Sequence, residues 1–569
     1  PLEPGPAGRV FEVDDFDGAQ GTHWGRVDLE NRGILLRNGR DPSTSDPLFH
    51  QQMVYAVCAT VYAAFRRALG RHLSWGFELH AAAGSRSAAR LRIRPHAFVD
   101  RNAYYDRDAG ELCFGYFRAP EKVASRTPPG GVVFTCLSHD IIAHEVTHAL
   151  LDGLRAHFST PSGPDVPGFH EGFADLVATF QHFSYREVVQ AAIRRSEGKV
   201  ERATLLTGIA HQFGSTLGST KPLRTAFESP AEAGFEPRRY SSSLEAHEMG
   251  EVLVQAVFEA ALTVFRRKTA QYVRLATEGT GRLPAGELPV ELQNIFGETA
   301  SKLASQFLSI CIRAIDYCPP VDIELGEYLR ALITADHDLV PDDRWGYREA
   351  LIDAFRVRGI YPPQVNSLAE DSLRWAPAEL SVKCIPELNF AHLQFEGDPA
   401  SPASADELRR QARALGAILG SAHNLDQFGL VRPGAPALQG DAVARPCVHS
   451  IRSSRRVGPD GQIIFDLVAE VTQRRTVRAP EGAFDVYGGA TVIIGPRGEV
   501  RYVIAKNILN ENRVAQQRDF INGAGRRFWE SRNGATTPVR NPFKLLHEPI
   551  NEKPAGRRRK PKAKPAGGT

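Results

Sequence analysis

The segment His144-Glu145-Val146-Thr147-His148 constrains this chain more than any other feature. It lies within Ser138–Leu154, a run with apolar flanks that reads as one helix. Residues four apart share a helix face, so both imidazoles can reach one tetrahedral ion. Glu145 lies one residue further round and can address a water on that ion instead of the ion itself. A catalytic zinc ion held this way takes a third protein ligand and keeps one position for water.

The segment Gly168-Phe-His-Glu-Gly-Phe-Ala-Asp-Leu-Val offers that third ligand. Glu171 and Asp175 are four apart on a second helix. An aspartate one turn beyond a ligating glutamate can accept the free N–H of a metal-bound histidine and fix its tautomer. His170 is the competing ligand, about 100° round the helix from Glu171. Glu171 is preferred because it and Asp175 sit among Phe169, Phe173, Leu176 and Val177, which an exposed acidic face would not explain.

The rest of the chain sets the frame. Its 569 residues predict about three or four domains. The formal charge is +3, but residues 551–569 hold seven basic side chains and one acid, so this tail is +6 and the body is −3. A mildly acidic body is not a basic nucleic-acid-binding surface; nucleic acid is unexpected except through the tail. No run approaches 18 apolar residues, so no membrane span is expected. The seven scattered cysteines form no CxxC pair and read as small core residues. With no signal peptide in view at Pro1-Leu-Glu-Pro-Gly-Pro, a reducing, cytoplasmic setting fits best.

Pro47–Arg71 reads as a helix, and 75–135 as strands, including Leu91–Arg94 and Leu112–Tyr116. From Gly168 to Ile360 the pattern is mostly helical, and Tyr361-Pro-Pro marks a boundary. Beyond it we expect a helix near 404–422 and two hairpins, turning at Gly458–Gly461 and Gly495–Gly498. The expected organisation is α+β throughout. A β-rich lobe, 1–160, ends in the first metal helix, and a helical lobe, 161–362, follows. A separate α+β domain, 363–550, precedes a disordered basic tail, 551–569.

With its HExxH and ExxxD helices, the chain resembles the thermolysin-like (gluzincin) metallopeptidases over about residues 50–360. His144, Glu145, His148, Glu171 and Asp175 carry the core of the resemblance. Asn102-Ala103-Tyr104-Tyr105 is similar to the family's edge strand that pairs with substrate backbone. Leu223-Arg224 followed by His247 is similar to its Leu-Arg and downstream catalytic histidine, and 351–360 to its closing helix. The resemblance implies a two-lobed thermolysin-like fold, one catalytic zinc on His144, His148 and Glu171, and a peptide or protein substrate. It also implies Glu145 as general base, His247 as oxyanion donor, Arg224 on a substrate carbonyl, and Asn102 and Ala103 on the substrate strand. Ile141 and Leu223 would line an apolar pocket by the same resemblance.

There are departures. The family's orienting aspartate falls near Ser242, leaving Glu245 as the substitute, and its oxyanion tyrosine has no counterpart in His157-Phe158-Ser159. Asp140 matches a calcium-ligand position, but its expected glutamate partner is His182, which argues against calcium. These departures keep a second reading open, a peptidase-fold scaffold that hydrolyses poorly. A third is an interaction protein acting through 376–550. We also expect 376–550 to limit or direct access to the site.

Overall fold

The computed structural model describes residues 4–77, 90–119, 130–195, 238–281, 289–380, 383–395, 397–420, 422–458, 460–480 and 482–547. The protein is α+β. Helix α1 (Pro47–Leu69) starts where the Asp46 carboxylate accepts from the Leu48 N–H and Pro47 presets the first turn. It stops at Gly70, whose left-handed φ of 65° costs glycine nothing. Its face of Val54, Val57, Cys58, Val61 and Phe65 is fully enclosed.

A mixed sheet covers one side of this helix. It contains β1 (Phe11–Val13), β2 (Leu91–Val99), β3 (Ala103–Asp106), β4 (Glu111–Arg118) and β5 (Val132–Phe134). The order is β1-β2-β4-β3, with β1, β2 and β4 parallel. The edge strand β3 runs antiparallel to β4, pairing Ala103 with Phe114. The sheet leads through β5 into α2 (His139–Leu154), capped by Ser138, whose Oγ accepts from the Ile141 N–H at 3.5 Å.

The helical part follows, with α3 (Asp165–Phe183), α4 (Ala246–Ala276), α5 (Val290–Ala314), α6 (Leu325–Leu339) and α7 (Tyr347–Val357). No helix among the described residues is long and apolar enough to cross a membrane. Helices α3 and α4 meet at two glycines. A Cβ on Gly250 would lie 2.7 Å from the Gly172 nitrogen and 3.1 Å from the Glu171 Cβ. Only glycine permits this approach, so Gly250→Ala must force the helices apart. We expect it to cost about 1–3 kcal/mol by overpacking, measured by denaturant unfolding. A change within experimental error would show that the contact tolerates a methyl group.

The C-terminal residues build a second sheet beneath α8 (Ala405–Ala417). Its strands are β6 (Ala442–Val443), β7 (Cys447–Val457), β8 (Ile463–Val477), β9 (Ala483–Ile494), β10 (Val500–Lys506), β11 (Trp529–Arg532) and β12 (Ala535–Pro538). The two expected hairpins are β7–β8 and β9–β10, antiparallel in each case. Side chains alternate across β9. Ala490, Val492 and Ile494 join a core of their own with Leu415 and Phe428. Thr491 and Ile493 face the helical body instead, where Ile493 joins the principal core. The chain closes with α9 (Glu511–Asn522) and α10 (Pro542–Leu546).

Buried polar contacts cross between the helical body and this sheet. Arg155, 1% exposed at the end of α2, donates to the Ile315 carbonyl at 3.1 Å and to Thr491 Oγ1 at 2.9 Å. Lys506 lies 2.7 Å from Glu324 and 2.9 Å from Glu327. Trp529 donates to the Pro161 carbonyl at 3.0 Å. All seven cysteines are free. Five are buried as expected, but Cys384 and Cys447 are exposed, because one lies in a surface loop and the other starts β7.

Candidate metal centre

Helices α2 and α3 place the motif residues face to face. His144 Nδ1 donates to Asp175 Oδ1 at 2.8 Å, which leaves the Nε2 lone pair free. That Nε2 lies 3.0 Å from His148 Nε2 and 3.5 Å from Glu171 Oε2. His148 Nε2 lies 3.6 Å from Glu171 Oε1. Donors placed about 2.0–2.1 Å from a tetrahedral ion stand about 3.3 Å apart, so these spacings fit zinc. Both Glu171 oxygens are buried without a hydrogen-bond donor, a costly state that a cation relieves.

His170, the competing candidate, does not join this group. Its Nδ1 lies 3.3 Å from His148 Nδ1, where it can hold the second histidine's tautomer as Asp175 holds the first. The expectation treated His170 only as a rival ligand, because helical spacing gives its angle but not its neighbour.

Glu145 is almost fully enclosed, and burial pushes its carboxyl pKa up, an effect that nearby His547 and His144 oppose. Burial acts on Glu171 in the same sense, but His247, His547 and His144 outweigh it and hold that carboxyl well below its ordinary range. The His148 imidazole is pushed well down, first by burial and then by His144.

His247 sits in the first turn of α4, with Nε2 3.3 Å from Glu171 Oε2. Its Nδ1 donates to Glu245 Oε1 at 3.0 Å. Glu245 also caps α4, accepting from the His247 backbone N–H in a capping box closed by Glu248. The carboxylate missing near Ser242 is thus supplied three residues later, on the cap itself.

On the opposite wall, Ala103 begins the edge strand β3 and Asn102 precedes it, its Oδ1 accepting from the Ala103 N–H at 2.8 Å. Arg224 and Leu223 lie outside the described residues, as does the basic tail. Ile141 packs, half-buried, against the principal core. Asp140 accepts from His182 Nδ1 at 2.7 Å, so an imidazole meets it where the calcium pattern would place a carboxylate. The segment after α2 sends Phe158 into the core and His157 toward His449, 3.3 Å away.

The residue that sequence reasoning missed is His547, directly after α10. His547 Nε2 lies 3.6 Å from Glu171 Oε1 and joins His144, His148 and Glu171 in one four-donor group. It stands alone in its segment, with no motif partner at ligand spacing, so no local signal marks it. Compared with known family models and with curated proteins, the chain matches none.

Proposed function

We propose that this protein is a zinc-dependent metalloendopeptidase with a thermolysin-like arrangement of its first two lobes. The observation that carries the reading is the set of three donors, His144 Nε2, His148 Nε2 and Glu171, at tetrahedral spacing beside the buried carboxylate of Glu145. The order of sheet, metal helix and helical body supports the architecture.

Zinc held there would polarise a peptide carbonyl and lower the pKa of water. The chain's own residues do the remaining work. Glu145 takes a proton from the attacking water and delivers it to the leaving amine, a task suited to a carboxyl whose pKa burial has raised. His247, held by Glu245, donates a hydrogen bond to the developing oxyanion. Ala103 and Asn102 stand at the edge of β3, where an extended peptide would add as a further strand once the His547 contact to the Ala103 carbonyl is released. Arg224 would hold a substrate carbonyl. A cytoplasmic setting remains part of this reading.

One observation favours a second reading. Four protein donors are the mark of a structural zinc site, and His547 supplies a fourth. The chain would then be a peptidase-fold scaffold with a permanently closed ion.

Metal analysis of the purified chain tests the proposal. About one zinc per chain is expected. His144→Ala and Glu171→Ala should each lose it, and cleavage of a peptide library should stop with chelator and resume with added zinc. A wild-type chain without zinc, or a His144→Ala variant that binds it equally well, would overturn the reading.

A further inference from the structure

We propose that His547 is a zinc ligand that holds the peptidase latent, with α10 as a plug on the substrate strand. The inference rests on the zinc reading above and adds to it how the site is regulated.

Three contacts at one imidazole carry it. The Nδ1 of His547 donates to the Ala103 carbonyl at 2.9 Å. A carbonyl only accepts, so this bond puts the proton on Nδ1 and leaves the Nε2 lone pair facing the metal donors. That Nε2 stands 3.6 Å from Glu171 Oε1, the same spacing that His148 keeps. The ring also lies against the proposed base, with Nδ1 3.4 Å from Glu145 Oε1. One side chain therefore occupies the position left for water, crowds the general base, and takes a backbone acceptor that an added substrate strand would use.

The plug is seated, not merely adjacent. Phe543 is 1% exposed, its ring 5.3 Å from those of both Tyr105 and His148 and 5.1 Å from that of His170. Leu546 is buried beside it, and Asn541 caps the short helix by accepting from Lys544 N. Upstream, β12 pairs with both β9 and β11. Trp529 on β11 is pinned to the Pro161 carbonyl. The plug is thus delivered by a fixed sheet over a short connection from Pro538 to Asn541, which gives the imidazole a high effective concentration at the ion. Latency of this kind ends when the connection is cut or when α10 is lifted off.

The test uses the full-length chain loaded with zinc, and with cobalt as a spectroscopic probe. Zinc X-ray absorption should count three imidazoles in the wild type and two in His547→Ala, with zinc still near one per chain. The cobalt spectrum should shift as a water replaces nitrogen. Cleavage of a quenched peptide library should rise at least about tenfold in His547→Ala, and again in Phe543→Lys, which unseats the helix without removing the ligand. An unchanged imidazole count in His547→Ala would overturn the assignment of His547. A changed count without a rise in cleavage in either variant would overturn latency and favour the structural-zinc reading. A wild-type chain without zinc would instead sink the metallopeptidase reading itself.

Discussion

In a His547→Ala background, Glu145→Gln is expected to lower peptide cleavage by about 10²–10⁴-fold, the usual contribution of a positioned general base. That range corresponds to roughly 3–5.5 kcal/mol of barrier. Glutamine keeps the size and the hydrogen-bonding capacity of the side chain but cannot take a proton from water. The donors His144, His148 and Glu171 are untouched, so zinc content should stay the same and KM should change little. Because the Glu145 pKa is raised by burial, activity in the parent should fall as acid protonates the carboxylate. The glutamine variant should lose that acid limb. Full activity in the double variant would remove Glu145 from the mechanism and leave the metal site standing.

The largest expected loss of stability lies elsewhere, at Asp316. Arg71 grips this carboxylate with two hydrogen bonds, of 2.6 and 2.7 Å, and both groups are nearly inaccessible. Burial pushes the Asp316 pKa up, but Arg71 prevails, with help from Arg155 and Arg452, and the carboxyl titrates below its ordinary range. Asp316→Ala leaves Arg71 buried without its counter-charge, for an expected cost of about 3–5 kcal/mol. That is a large share of the roughly 5–15 kcal/mol by which native domains are stable. The double variant Arg71→Met/Asp316→Leu removes both charges, and we expect it to recover much of the loss. Denaturant midpoints of the wild type, Arg71→Met, Asp316→Leu and the double variant measure the coupling. A loss under about 1 kcal/mol for Asp316→Ala would mean that water reaches Arg71.

Features with a local period were legible in the sequence. The spacings from His144 to His148 and from Glu171 to Asp175 are helical, and each puts two side chains on one face. The Gly458–Gly461 and Gly495–Gly498 turns predicted both hairpins because the flanking strands are adjacent in sequence. Parallel pairing was not legible. The β1-β2-β4 order and the β9–β12 pair join segments tens of residues apart, with no turn to announce them. Glu245 could be named only as a substitute for a missing aspartate, since its role depends on how the α4 cap is oriented. His547 was hidden for a plainer reason. A side chain that arrives from some 370 residues away carries no spacing to read, and its segment looks like the end of an ordinary domain.

The continuity of the principal core has a consequence for how the protein is made. Ile493, Ile504, Phe528 and Phe543 belong to the same packed cluster as α1, α2 and α3. During synthesis His144, His148, Glu171 and Asp175 leave the ribosome first, and His547 follows about 370 residues later. At roughly 5–20 residues per second, that interval is about 20–70 s. Throughout it α1, α2 and α3 lack the packing partners Ile493, Ile504, Phe528 and Phe543, and their apolar faces stay partly bare. The principal core is therefore completed by residues as late as Phe543, long after the helices that carry His144 and Glu171 have been made.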